Sequence, residues 1–308
     1  MSHKIIYIDC RTETYDTIRR LELDQHFNEL HIHVGAPEHK ELLDLMKGAH
    51  VVLTGRSYLD HNLLSQCPAL KTLVFLGTGP ESYIDVPAAE ALGIAVKRVR
   101  NYGNRTNAEH AFALILEAAR RISLMDQSIR SGGWEAHQGM ELQGKQLGVI
   151  GVGGIGSELI RLADAFGMRV AAWNRSAIDS NLPCTVMTWE ELLTTSDVLS
   201  IHLGYNQHTH GIIDEKAFTL MKPGVIFINA ARGGLVDEKA MIEALESGTI
   251  RHAGLDVFEV EPLPASHPLR DMPNVTLTAH AAFNTREALD RLVTQAFEIV
   301  RTSAQALG

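Results

Sequence analysis

The chain has 308 residues and a mass of 33.9 kDa, enough for two domains at the usual roughly 100–200 residues each. Hydrophobic residues make up 45% and charged residues 21%, which excludes a disordered or collagen-like chain. With 28 Lys plus Arg against 37 Asp plus Glu the net charge is −9, so the basic footprint that holds nucleic acid or an anionic membrane surface is missing and both are disfavoured as partners.

The first apolar run, Ile5-Ile6-Tyr7-Ile8 before Asp9, is strand-sized and too short for a signal-peptide core. No window reaches the ~18 apolar residues that cross a bilayer. Cys10, Cys67 and Cys184 lie far apart with no CxxC pair, which fits a reducing, cytoplasmic setting. In chain order the residues predict strands over Lys4–Asp9, His50–Thr54, Leu73–Leu76, Leu147–Gly151, Arg169–Trp173, Val198–His202, Val225–Asn229 and Val275–Thr278. Helical segments such as Glu158–Phe166, Asp214–Leu220 and Glu238–Glu246 lie between them. This alternation predicts parallel strands with crossover helices, an α/β fold. Asn107 to Arg130 is expected as one long helix, stopped by Gly132-Gly133 and connecting two α/β halves, with an ordinary core helix as the alternative.

Gly151-Val152-Gly153-Gly154-Ile155-Gly156 follows the strand Leu147–Gly151 and opens a helix at Ser157. In that order Gly151 permits the tight turn, Gly153 lets backbone approach a pyrophosphate, and Gly156 lets helix and strand pack closely. Gly154 and Ile155 lie at the helix start, whose free N–H groups and positive dipole end favour phosphate. The next strand runs into Asn174-Arg175-Ser176, with no acidic residue to accept from a free ribose 2′-hydroxyl. Donors and a positive charge suit a 2′-phosphate, so NADP is expected in preference to NAD. The stretch Gly139–Gln146 resembles a P-loop, but it lacks the terminal Ser or Thr and precedes its strand, so it reads as a turn.

Three charged residues follow predicted strands: Arg232 after Val225–Asn229, Glu261 after the short strand that ends near Gly254, and His280 after Val275–Thr278. Carboxyl ends of parallel strands converge on a ligand crevice, so the three can share one site. Arg232 can hold a carboxylate with two parallel hydrogen bonds. His280 can exchange a proton with an oxygen at the reacting carbon, and Glu261 can accept the other imidazole N–H. The pairs His31/His33 and His208/His210 lack a third ligand, so no metal site is expected. No GxSxG elbow is present, which disfavours a serine hydrolase.

These motifs, together with Asn107-Ala108-Glu109-His110, Gly144–Gly148, Ser196–His202 and Gly254–Pro262, resemble the D-isomer-specific 2-hydroxyacid dehydrogenase family over about residues 70–300. The resemblance implies two Rossmann-like domains with parallel sheets. A discontinuous substrate domain would take residues 1–101 and 283–308, and a dinucleotide-binding domain 102–282. It further implies hydride transfer between a nicotinamide and C2 of a small 2-oxo acid, glyoxylate or hydroxypyruvate first, with Arg232, Glu261 and His280 catalytic. Asp256 would meet the nicotinamide amide, His202 would belong to the loop over the cofactor, and Leu76, Gly77, Thr78 and Gly79 would receive the substrate carboxylate. Arg56, Ser57 and Tyr102 are pocket candidates, and a homodimer built on the cofactor domain is expected. Ala279 stands where the family often has Pro, and Leu203-Gly204 follows His202 where it has x-Pro. Two alternatives stay open: the same fold acting on formate or phosphite, and a dinucleotide-sensing binding protein, the latter disfavoured by the absence of a long tail after the last helix.

Overall fold

Every strand pair among the described residues is parallel, as crossover connections require. The computed structural model describes residues 3–307. Two compact units result: one takes in the chain up to Tyr102 together with the residues from Asn284 onward, the other is Gly103–Phe283.

In unit one, β1 (Ile5–Cys10), α1 (Thr12–Arg20), β2 (Leu30–Val34), α2 (His39–Met46), β3 (Val51–Thr54), α3 (His61–Ser65), β4 (Thr72–Phe75), α4 (Val86–Ala91) and β5 (Ala95–Arg98) follow in order. The sheet order is β2-β1-β3-β4-β5. Central strands β1, β3 and β4 are buried at every position, because helices cover both faces. The C-terminal helix Arg286–Ala306 supplies one cover, burying Leu292, Val293, Ala296, Phe297 and Val300 against Val51, Leu53 and Val74. Strand order reverses between β1 and β3. There the buried Asp9 carboxylate accepts from the Thr54 hydroxyl at 2.8 Å and from the amides of Gly55, Arg56 and Ser57 at 2.9, 2.9 and 2.7 Å.

Unit two contains α5 (Asn104–Arg120), α6 (Ile122–Arg130), β6 (Gln146–Ile150), α7 (Gly154–Ala165), β7 (Arg169–Trp173), β8 (Thr185–Val186), α8 (Trp189–Thr195), β9 (Val198–Ile201), α9 (Glu215–Leu220), β10 (Val225–Asn229), α10 (Glu238–Glu246), β11 (Ile250–Leu255) and β12 (Val275–Leu277). Its sheet runs β12-β11-β10-β9-β6-β7-β8, so the switch point falls between β6 and β9, beside the glycine loop.

The eight named strands are present to within one or two residues, and the fold is α/β with two parallel sheets. Strands β2, β5 and β8 were not expected. Each lies at or toward a sheet edge, where one face meets water and no continuous apolar run forms. The long helix divides in two, because Arg121 adopts a left-handed backbone (φ 54°, ψ 44°) that ends α5 and redirects the chain into α6. Helix α5 is a core helix of unit two rather than a mere connector: Ala108, Ala111, Leu114, Ile115 and Ala118 pack with Leu147, Val149, Ile226 and Ile228.

The Asp9 cluster yields a stability prediction. Asp9→Ala strands three loop amides and a buried hydroxyl, so it should cost about 3 kcal/mol or more, read as a lowered denaturation midpoint. An unchanged midpoint would show that the cluster is not needed for folding.

Candidate active site

The glycine loop is shaped by close approaches. Gly151 has φ 97°, and a Cβ there would lie 2.9 Å from the His202 backbone, so only glycine fits. A Cβ on Gly156 would lie 2.2 Å from the Gly151 carbonyl oxygen, which explains how α7 sits so close to the end of β6. At Gly153 a Cβ would meet nothing within 4 Å, and as the N-cap of α7 this glycine brings no capping side chain of its own. Exposed backbone at a helix start is a fitting cradle for a pyrophosphate. Gly154 and Ile155 form the first turn of α7. The residues therefore suit a dinucleotide.

Beyond β7, Asn174 Oδ1 accepts from the Val152 amide at 3.2 Å, and Asn174 Nδ2 donates to the Ser176 hydroxyl at 2.9 Å. Asn174 thus braces the glycine loop, while Arg175 and Ser176 are exposed. His202 is anchored at the end of β9. Its amide donates to Ile150 O at 2.7 Å, its ring bonds the buried Ser200 hydroxyl at 2.8 Å, and burial pushes its pKa down to about 4. Its ring is neutral at neutral pH.

Arg232, Glu261 and His280 all belong to unit two. Buried Asn229, at the end of β10, shapes the Arg232 loop by accepting from the Ala231 amide at 3.0 Å and donating to the Arg232 carbonyl at 2.9 Å. Gly233 lies so close to Phe258 that a Cβ would be 2.0 Å from its backbone, which seats the Arg232 loop on the loop after β11. That second loop carries Glu261, whose Oε1 accepts from the Phe258 amide at 3.0 Å and whose Oε2 meets His280 Nδ1 at 2.6 Å. Burial raises the Glu261 pKa. Hydrogen bonds from His280 and Phe258, with the charges of His280 and Arg232, outweigh it and hold the carboxyl below its usual 4.5. An ionised Glu261 accepts from Nδ1–H, which leaves Nε2 as the nitrogen available to a substrate oxygen.

Asp256 has no exposed surface. Its Oδ1 accepts from the Thr278 hydroxyl at 2.6 Å and the Ala281 amide at 2.9 Å, and its Oδ2 from the Ala282 amide at 2.9 Å. Burial opposes its charge, but the hydrogen bonds from His110, Thr278 and these amides keep its pKa below 3.8. Its carboxylate is held inside the protein by these donors. The roles of Asn229, Asp9, His110 and Thr278 were not anticipated. His110 and Thr278 stand inside the motifs quoted above, yet their side-chain partners lie far away in sequence.

In unit one, the amide of Leu76 donates to Thr54 O at 2.8 Å and that of Gly77 to Phe75 O at 3.0 Å. Both are used by the fold, and among the described residues the Thr78 and Gly79 amides carry no such bond. Arg98 braces this segment by donating to Thr78 O at 3.3 Å. Arg56 is half-buried, with its Nε unpartnered among the described residues. Among the described residues no group of three His, Cys, Asp or Glu is arranged to hold a metal ion, and no helix is long and apolar enough to cross a membrane.

A glycine cradle at the switch point and an Arg, Glu, His set beyond the strand ends define a dinucleotide-linked oxidoreductase class. Residues 112–282 match the model of the D-isomer specific 2-hydroxyacid dehydrogenase NAD binding domain. A glyoxylate reductase of Aeropyrum pernix is 39% identical over 284 residues, 87% of this chain and 84% of that protein. A D-3-phosphoglycerate dehydrogenase of Mycobacterium leprae is 39% identical over 274 residues, 87% of this chain and 52% of that protein, so the chain spans about half the length of such relatives. The crystal structure of a glyoxylate reductase from Paecilomyes thermophila superposes with a TM-score of 0.85 at 29% identity, covering 98% of this chain and 95% of that one. The chain belongs to the D-isomer specific 2-hydroxyacid dehydrogenase family.

The depressed carboxyl groups make an acid-stability prediction. Glu261 and Asp256 bind protons less readily folded than unfolded, so their stabilisation is complete above the unfolded values of 4.5 and 3.8 and is lost as pH falls through the lower folded values. Melting curves from roughly pH 7 to 3 should show Tm falling below pH 4.5, with a shallower acid limb in Glu261→Gln. An identical acid limb in the variant would refute the contribution of Glu261.

Proposed function

We propose that the protein reduces a small 2-oxo acid to the 2-hydroxy acid, with glyoxylate and hydroxypyruvate as the first substrates and NADP favoured over NAD. The observation that carries this reading is the 2.6 Å bond between His280 Nδ1 and Glu261 Oε2, beside the Arg232 loop. The Gly151–Gly156 loop and the Asn174–Ser176 segment would hold the nicotinamide cofactor, which would supply the hydride. Arg232 pairs with the substrate carboxylate and polarises the carbonyl. His280 gives its Nε2 proton to the oxygen of C2, and Glu261 keeps the ring oriented and stabilises its protonated form. In the oxidative direction His280 takes the same proton back. Formate oxidation would need no such proton donor, so the His280–Glu261 pair favours a hydroxy acid.

We also propose that unit one is the substrate domain, with the free Thr78 and Gly79 amides and the Arg56 side chain receiving the acid. The absence of an acidic residue among Asn174, Arg175 and Ser176 directly after β7, and the exposure of Arg175, support a 2′-phosphate. Three free cysteines suit a reducing, cytoplasmic location.

His280→Ala should lower kcat by about 10²–10⁴-fold while the reduced cofactor binds as before. The assay follows loss of reduced-nicotinamide absorbance with NADPH and NADH over glyoxylate, hydroxypyruvate, pyruvate and 3-phosphohydroxypyruvate. Unchanged turnover in the variant would remove His280 from the mechanism. Faster NADH oxidation would reverse the cofactor preference alone. Tight cofactor binding with no turnover of any oxo acid by the wild type would favour the sensing alternative.

A homodimer is proposed through α6. No residue of α6 is buried in its own chain, and Ile122, Ile129 and the nearby Trp134 are 54%, 56% and 88% exposed. Side chains that large at i and i+7 call for a cover, and a second copy of the same face supplies one. Sedimentation velocity should give a dimer for the wild type and a monomer for Ile129→Asp. A monomeric wild type would refute the assembly.

A further inference from the structure

We propose that His110, Thr278 and Asp256 form a positioning relay that holds the backbone of His280 in its working conformation. His280 has φ 48°, the left-handed region, which is unfavourable for a non-glycine residue and persists only where neighbours over-determine it. Here Asp256 grips the turn twice. Its carbonyl accepts from the His280 amide at 2.8 Å, and its carboxylate takes the next two amides, Ala281 and Ala282, at 2.9 Å each. Three consecutive N–H groups thus converge on one residue.

The carboxylate is itself aimed by Thr278. A hydroxyl has one hydrogen, and Thr278 gives it to Asp256 Oδ1 at 2.6 Å. Its oxygen must therefore accept at the 3.1 Å contact with His110 Nε2, which assigns the proton to that nitrogen. The same Nε2 lies 3.4 Å from Asp256 Oδ1. His110 stands on α5, whose neighbouring Ala108 and Ala111 are buried in the core of unit two. The relay therefore runs from a core helix, through a hydroxyl and a carboxylate, to the turn that bears the proton donor. None of the three residues need touch substrate; they act through His280.

This inference rests on the reading of His280 as the proton donor, and the experiment separates the two. Thr278→Val keeps the shape and deletes the hydroxyl, whereas Thr278→Ser retains it. In Thr278→Val, kcat for glyoxylate should fall about tenfold or more, with KM and the Kd of reduced cofactor within about twofold of wild type. Thr278→Ser should recover most of the loss, which a packing role for the Thr methyl would not allow. Amide hydrogen exchange at Ala281 and Ala282 should speed up in Thr278→Val and not in Thr278→Ser. If Thr278→Val does not fold, His110→Ala makes the same cut from a partly exposed site, with His110→Gln as the variant that can still donate. Wild-type rates in Thr278→Val, or equal losses in the Ser and Val variants, would overturn the relay. If the wild type turns over no oxo acid, the catalytic reading falls. Exchange at Ala281 and Ala282 then decides the relay by itself.

Discussion

Backbone N–H groups beyond the carboxyl end of a parallel strand have no ladder partner, and three buried side chains in this protein supply one. Asp9 gathers the amides of residues 55–57 after β3. Asn229 closes the Arg232 loop after β10 on itself. Asp256 holds Ala281 and Ala282 after β12. Each sits at the end of a neighbouring or the same strand, so the acceptor is fixed by the sheet and the loop inherits its precision. Leaving such amides unpaired would cost more than the bonds themselves contribute, which makes these loops rigid where exposed loops are usually mobile.

That rigidity matters because the side chains proposed for the chemistry sit on the loops. Glu261 and His280 come from different strand ends, yet their side chains meet at 2.6 Å, a charge-assisted distance that tolerates little drift. The close seat of Gly233 on Phe258 places the Arg232 loop against the loop that bears Glu261, and the Arg232 charge helps to keep that carboxylate ionised. His280 itself carries a positive φ. It is held by hydrogen bonds from one side and by the Glu261 pairing from the other.

The glycine loop follows the same logic in reverse. Here Gly153, at the N-cap of α7, brings no capping side chain and faces open space. An anion completes what the chain omits. Asn174 takes the Val152 amide, ahead of the first turn of α7. The two regions of unit two thus differ in one respect: around His280 side chains satisfy the backbone, and at the start of α7 the glycine N-cap brings none.

Much of this was legible in the residues. Central strands read as apolar runs because both their faces are covered, and a glycine cluster between strand and helix has few other uses. Arg232, Glu261 and His280 stood out because each follows such a run. Edge strands β2, β5 and β8 were not legible, since half-buried and exposed residues carry no continuous apolar signal. Nor was the break at Arg121, where no glycine or proline marks the left-handed turn. Alternation and motif order alone determined the α/β class, the glycine loop between strand and helix, and the three charged residues at strand ends. Only the tertiary structure decided that Asp256 turns its carboxylate onto the His280 turn, that His202 faces Ser200, and that His110 reaches Thr278. Those pairings join residues up to 168 positions apart. Strand order and register bring such residues together, and a local pattern encodes burial but not the partner on the neighbouring strand.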